Sequence, residues 1–233
     1  MPPDDSTRES TPAVTAAFVL FDLDGTLSDS AGGILSALRH SFADHGLPSL
    51  DPATELRLLG PPFFESLPPI VGADLVRPVI ESYRAYYATT MYDTTVYPGI
   101  VALLDALHST GRRLAVATSK AEHYAVPIVE HLGLTRFFET VGGDELDGSL
   151  RTKALVIGRV LERLGHPDPR RVVMVGDRSH DVEGARVHGI DCIAVRWGYS
   201  TPGELDDARP AHICATAGEV ARILGVDVDA GAQ

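Results

Sequence analysis

The chain alternates between short unbroken apolar runs and longer stretches in which apolar residues recur every three or four positions. Ala16-Ala-Phe-Val-Leu-Phe21 is one such run, and others stand at Arg113–Ala117, Arg171–Val175 and Cys192–Val195. Apolar runs of this length without alternation predict strands buried on both faces, as in parallel sheets. The later three each follow a helix-like stretch and a Gly or Pro break, the βαβ alternation of a doubly wound, Rossmann-like α/β fold. Phe137–Val141 and His212–Cys214 carry weaker strand patterns. The interval 28–97 breaks the rhythm. It has amphipathic helical spacing around Ile34–His45 and Leu75–Thr90, a turn at Gly60-Pro-Pro62 and no strong strand signal, and so predicts an inserted α-helical cap domain. Tyr97-Pro-Gly99 marks the return to the sheet, ahead of a helix over Ile100–His108. The expected organisation is a core of residues 16–27 and 98–226 with a cap of residues 28–97. A disordered tail is expected over 1–15, rich in Pro, Ser, Thr and Asp, and a frayed end over 227–233.

Each strong strand ends in a polar cluster: Asp22 and Asp24, then Thr118-Ser-Lys120, then Gly176-Asp177. Ligands of open α/β sheets sit beyond the carboxyl ends of the strands, so these clusters are expected to converge on one crevice. Asp22 and Asp24 are two residues apart on an extended segment, which puts both side chains on one side. Two such carboxylates can divide labour, one as nucleophile and the other as general acid and then base. A calcium loop does not fit, because its sixth position would be Leu27 rather than Gly and its twelfth Gly33 rather than Glu. Thr118 and Ser119 offer hydroxyls and N–H groups to phosphate oxygens at a helix start, and equally suit an ordinary N-cap. Asp177 and Asp181, four apart at the start of the next predicted helix, suit Mg²⁺ or, again, simple helix capping. His180 lies between them without the second His or a Cys that zinc would want.

Charge changes the picture in two ways. The 233 residues carry 20 Lys and Arg against 32 Asp and Glu, a net charge of −12, which disfavours a nucleic-acid polymer as partner. Of the 20 cations only two are lysines, Lys120 and Lys153, and both stand beside the polar clusters. Lys153 opens a predicted helix over Ala154–Leu164, where the helix dipole favours acids; a place in the crevice, neutralising a phosphoryl group, would offset that cost. A solvated surface lysine is the competing interpretation. Cys192 and Cys214 sit in apolar segments as small buried hydrophobes and suit a reducing compartment. No signal peptide and no membrane span is expected, and the location expected is cytoplasmic.

Order and spacing together are more specific than any one cluster. Phe21-Asp-Leu-Asp-Gly-Thr-Leu27, Ala117-Thr-Ser-Lys120, Lys153 and Gly176-Asp-Arg-Ser-His-Asp181 resemble the four signature motifs of the haloacid dehalogenase superfamily. The resemblance runs from Ala17 to about Leu224, and the helical insert after the first motif is similar to the small cap of its phosphoglycolate-phosphatase-like subfamily. Gly60-Pro-Pro, Asp147-Gly-Ser and Trp197-Gly-Tyr199 look most like the 5′-nucleotidase-like branch. The resemblance implies a Mg²⁺-dependent phosphatase acting on a small phosphorylated metabolite. Asp22 would be the nucleophile and Asp24 the acid and base, while Thr118, Ser119 and Lys153 would hold the phosphoryl group. The metal ligands would be Asp22, the Asp24 backbone carbonyl, Asp177 and, directly or one step removed, Asp181. Dehalogenases of the superfamily lack an acid at the place of Asp24, which argues for phosphoryl chemistry. A phosphomutase would use the same residues and stays open, as does a non-catalytic regulatory role. The segment Val172–Val182 also resembles a mycobacterial tyrosine-kinase branch, but the chain has no Gly-rich nucleotide loop. Arg57, Arg84 and Tyr87 are candidate cap contacts to a leaving group. A monomer and a homodimer fit the sequence equally.

Overall fold

Six strands form one parallel sheet in the computed structural model: β1 (Phe18–Phe21), β2 (Arg113–Ala121), β3 (Phe138–Asp144), β4 (Val172–Gly176), β5 (Asp191–Val195) and β6 (His212–Cys214). Their order is β3-β2-β1-β4-β5-β6, so the first strand lies at the centre and the chain winds outward to either side. The structure describes residues 15–228. The expected tails at 1–15 and 227–233 therefore lie outside the described residues, except for Thr15, Asp227 and Val228.

β1 shows why its sequence has no polar alternation. Val19 and Phe21 face one core cluster and Phe18 and Leu20 the other, so both faces of the strand are buried. The helices Ile100–Ser109, Glu122–His131 and Ala217–Ile223 cover the first face through Leu103, Leu104, Leu107, Ile128, Val129 and Val220. The helices Lys153–Arg163 and Ser179–Val187 cover the second through Val156, Ile157, Val160, Val182 and Ala185. Cys192 and Cys214 are free and buried.

The interval after β1 is helical, as its spacing predicts. Helix Ala31–Asp44 buries Ile34, Ala37, Leu38 and Phe42, and helix Ala73–Thr90 buries Val76, Val79, Ile80, Tyr83 and Tyr87. The two pack against each other, closely enough that a Cβ on Gly33 would stand 2.7 Å from the Thr90 carbonyl oxygen. The structure adds an antiparallel ribbon of Ser28–Asp29 with Thr95–Val96 where this interval leaves and rejoins the sheet. Strands of two residues are too short to leave a periodic trace.

A second difference concerns the segment after Ala117. The apolar run predicts that the strand stops there and that a helix begins near Thr118. Instead β2 continues to Ala121 with a register shift against β3, and the helix begins at Glu122. Gly143 on β3 permits this, because a side chain there would run into the Lys120 carbonyl and the Glu122 backbone. Thr118, Ser119 and Lys120 thus reach the crevice from extended backbone rather than from a helix N-terminus.

Candidate active site

The carboxyl ends of β1, β2 and β4 bring the charged residues of three distant segments together. Asp22 and Asp24 follow β1, Asp177 follows β4, and Asp181 sits in the first turn of helix Ser179–Val187. Oxygens of Asp22, Asp177 and Asp181 lie within 4.8 Å of one another. Lys153 enters from the first position of its helix, which Thr152 caps by accepting from the Leu155 N–H. Its Nζ stands 2.9 Å from Asp22 Oδ1 and 2.8 Å from Asp181 Oδ1, and donates to the Ala117 carbonyl at 3.0 Å. Gly184 makes the room for it, since a Cβ there would crowd the Lys153 side chain. The lysine is 5% exposed, so a solvated surface role is excluded.

The second acid is held apart from this group. Asp24 accepts from Ser30 Oγ at 2.6 Å and pairs with Lys120 Nζ at 3.0 Å. Lys120 in turn donates to the Tyr87 hydroxyl at 2.6 Å, with its Nζ 4.5 Å from the centre of that ring. Lys120, Ser30 and Tyr87 were not among the expected catalytic residues. The scarcity of lysine marked Lys120, but nothing in the spacing names its partner. Both lysines of the chain now have the same explanation, since each neutralises one of the two carboxylates at the end of β1.

Thr118 is 1% exposed, and its Oγ1 accepts from the Lys120 N–H at 3.2 Å. The Ser119 hydroxyl is buried with no hydrogen-bond partner. His180 is outside the acidic cluster. Arg84 and Tyr87 border the cavity beside Asp24, but Arg57 does not; its guanidinium donates to Thr54 Oγ1 at 2.7 Å, on the outer surface of the helical interval.

Charge counting shows what the acidic cluster can hold. Three buried carboxylates share one ammonium, an excess of negative charge that is costly away from water. Burial pushes Asp22 up to about 6, a rise that Lys153 opposes and Asp181 reinforces. Burial, with Asp181 and Asp22, raises Asp177 well above the usual carboxylate range. The Lys153 ammonium is lowered by burial, but Asp181 and Asp22 more than reverse this and its net shift is upward. A small divalent cation with oxygen preference fits such a donor set, and Mg²⁺ binds through few protein oxygens.

Close backbone approach fixes the Asp177 carboxylate. Its oxygens accept from Thr26 Oγ1 at 3.0 Å and from the Tyr199 N–H at 2.7 Å. Gly25, at φ +81°, and Gly198 both lie so near that any side chain would overlap it. Tyr199 also ties the entry of the helical interval to this loop. Its hydroxyl donates to Asp29 Oδ1 at 2.9 Å and accepts from the N–H groups of Ser30 and Ala31.

Arg178, next to Asp177 and three residues before Asp181, is 5% exposed and donates to the Leu59 carbonyl and, at 2.8 Å, to Glu204. Burial acts to raise Glu204, but Arg178 and the N–H groups of Ser179 and Thr201 outweigh it and bring the carboxyl down to about 2. A depressed carboxylate stabilises the fold above its unfolded value near 4.5, and that contribution is lost as pH falls toward 2. Glu204→Gln should therefore cost on the order of 2 kcal/mol at pH 7. Urea unfolding of both proteins from pH 7 down to pH 3 checks this: the gap should narrow on the acid side, and a pH-independent gap would contradict it.

The chain is similar to several known proteins. The chain is 41% identical over 222 residues to the tyrosine-protein kinase PtkA of Mycobacterium tuberculosis, covering 94% of this chain and 76% of that protein. It is 35% identical over 209 residues to a 5′-nucleotidase of Pseudomonas aeruginosa, covering 88% and 94%. A crystal structure of a predicted phosphatase from Clostridium acetobutylicum superposes with a TM-score of 0.83 at 35% identity, covering 87% of this chain and 95% of that one. No described helix is long and apolar enough to cross a membrane. The model of the haloacid dehalogenase-like hydrolases matches residues 19–195, which include Asp22, Asp24, Thr118, Lys153, Asp177 and Asp181, and the chain belongs to that family.

Proposed function

We propose that the protein is a Mg²⁺-dependent phosphatase that hydrolyses a small phosphomonoester through an aspartyl-phosphate on Asp22. The observation that supports this best is the separation of the two β1 carboxylates, Asp22 on Lys153 and the acidic cluster, Asp24 on Ser30 and Lys120. An Asp22 oxygen attacks phosphorus in line, and the bond to the leaving oxygen breaks as Asp24 gives that oxygen its proton. Asp24 then takes a proton from the water that attacks phosphorus and frees Asp22. Lys153, Thr118 and the unpartnered Ser119 hydroxyl hold the phosphoryl oxygens through the exchange. Asp22, Asp177, Asp181 and the Asp24 backbone carbonyl would hold Mg²⁺. When bound, the cation neutralises charge on the phosphoryl group. The helical interval, 28–97, serves as the cap that excludes bulk water while the phosphoryl group is transferred to Asp22.

Release of inorganic phosphate from a panel of phosphomonoesters tests the proposal. Equimolar phosphate and alcohol are expected with Mg²⁺ and none after chelation. Mg²⁺ should also raise the melting temperature, since it binds only the folded cluster. Turnover that survives chelation, with no thermal shift, would refute the metal assignment. The mycobacterial relative's name favours a second reading, transfer to a tyrosine. Incubation with γ-labelled ATP separates the two, because label would then appear on tyrosine, as an alkali-stable ester, rather than as free phosphate or an alkali-labile aspartyl-phosphate.

A further inference from the structure

A cavity between the helical interval and the sheet opens beside Asp24. Its lining includes Asp24, Ser119 and Lys120 but none of Asp22, Lys153, Asp177 or Asp181. It therefore faces the carboxylate assigned to the leaving oxygen, not the metal cluster, and its contents are the leaving group. Five of its sixteen lining residues are aromatic, Phe63, Phe64, Tyr83, Tyr87 and Tyr124, although aromatics make up only 6% of the chain. These come from three separate segments, so no single amphipathic helix accounts for the enrichment.

The rings are arranged as a continuous surface. Phe63 meets Tyr83 edge to face at 4.7 Å, Tyr83 stacks on Tyr87 at 5.3 Å, and Tyr87 meets Tyr124 edge to face at 5.6 Å. Phe64 and Arg84 complete the wall, the guanidinium carbon 5.9 Å from the ring centre. A leaving group bearing a carboxylate, such as glycolate, finds one cation there, Arg84, that makes no ion pair among the described residues. Lys120 is committed to Asp24 and Tyr87, and Arg84 lies over Phe64. That single guanidinium is all the cavity offers a second negative charge, whereas five rings offer a planar aromatic group edge-to-face and stacked contacts.

We infer, given the phosphatase reading, that the substrate is a small phosphomonoester whose leaving group carries an aromatic ring, a nucleobase or a phenol. A pair of esters with alcohols of similar acidity isolates the effect: 2-phenylethyl phosphate against 2-cyclohexylethyl phosphate, with phosphoglycolate beside them. With Mg²⁺ the phenyl ester should show a kcat/KM about tenfold above both. In Phe64→Leu, and separately in Phe63→Leu, the phenyl-to-cyclohexyl ratio should fall toward one through KM, with circular dichroism confirming the fold. A nucleoside 5′-monophosphate and O-phosphotyrosine then show which ring is preferred, either supporting the inference. Equal or better turnover of phosphoglycolate or the cyclohexyl ester overturns the inference and leaves the phosphatase reading intact. If no ester releases phosphate, both fall.

Discussion

Asp22→Asn should lower phosphate release by at least about 10³-fold, a loss of roughly 4 kcal/mol of transition-state stabilisation. The amide occupies the same space and still accepts from Lys153, so the architecture around it persists while the nucleophile is gone. Stability should move the other way or not at all. Burial pushes Asp22 up to about 6, which means that at neutral pH the ionised carboxylate is held at a cost to the fold. The metal-free variant should accordingly melt no lower than the parent. Parallel measurement of steady-state rate and melting temperature checks both halves. An active variant would exclude Asp22 as nucleophile, and an inactive but unfolded one would mean that the carboxylate is structural.

Lys153→Met should damage both properties. Its ammonium lies between Asp22 and Asp181 and bonds to the end of β2, so its loss leaves a buried acidic cluster with no internal counter-charge. Breaking a buried pair in this way costs about 3–5 kcal/mol. Rate should fall roughly 10²–10³-fold, as when one oxyanion-stabilising donor is removed. Mg²⁺ should recover part of the stability but little of the rate, because it can neutralise the cluster without replacing the donor to the phosphoryl group. Urea midpoints with and without Mg²⁺ test this. A variant as stable and active as the parent would show that Lys153 is dispensable.

The readable part of the molecule is the part in which one strand carries its own evidence. β1, β4 and β5 are buried on both faces, and an unbroken apolar run is the direct record of that environment. Asp22, Asp24 and Asp177 stand at the ends of such runs, so their convergence followed from the sheet, and Lys153 stood out as a rare lysine at an unfavourable helix position. What escaped notice depends on contacts between segments. The extension of β2 through Thr118–Ala121 has polar side chains and is made possible by Gly143, on another strand. The pairing of Lys120 with Asp24, the Tyr199 ties to Asp29 and Ser30, and the aromatic wall all join residues far apart in sequence. Arg57 is a reasonable candidate by position, but the helix Pro52–Leu58 presents it to solvent, and no pattern within that helix distinguishes it from Arg84.

The concentration of lysine in the crevice reaches beyond phosphate chemistry. Both ε-amines of the chain are sequestered, with side-chain exposures of 7% for Lys120 and 3% for Lys153. Acylating and carbonyl reagents, which modify most proteins at many exposed lysines, thus find in the folded protein no lysine outside the crevice. Under the proposed function, covalent capture of an ε-amine here is at once a probe of crevice opening and an inactivation event, and a surface written in arginine offers that chemistry no competing ε-amine.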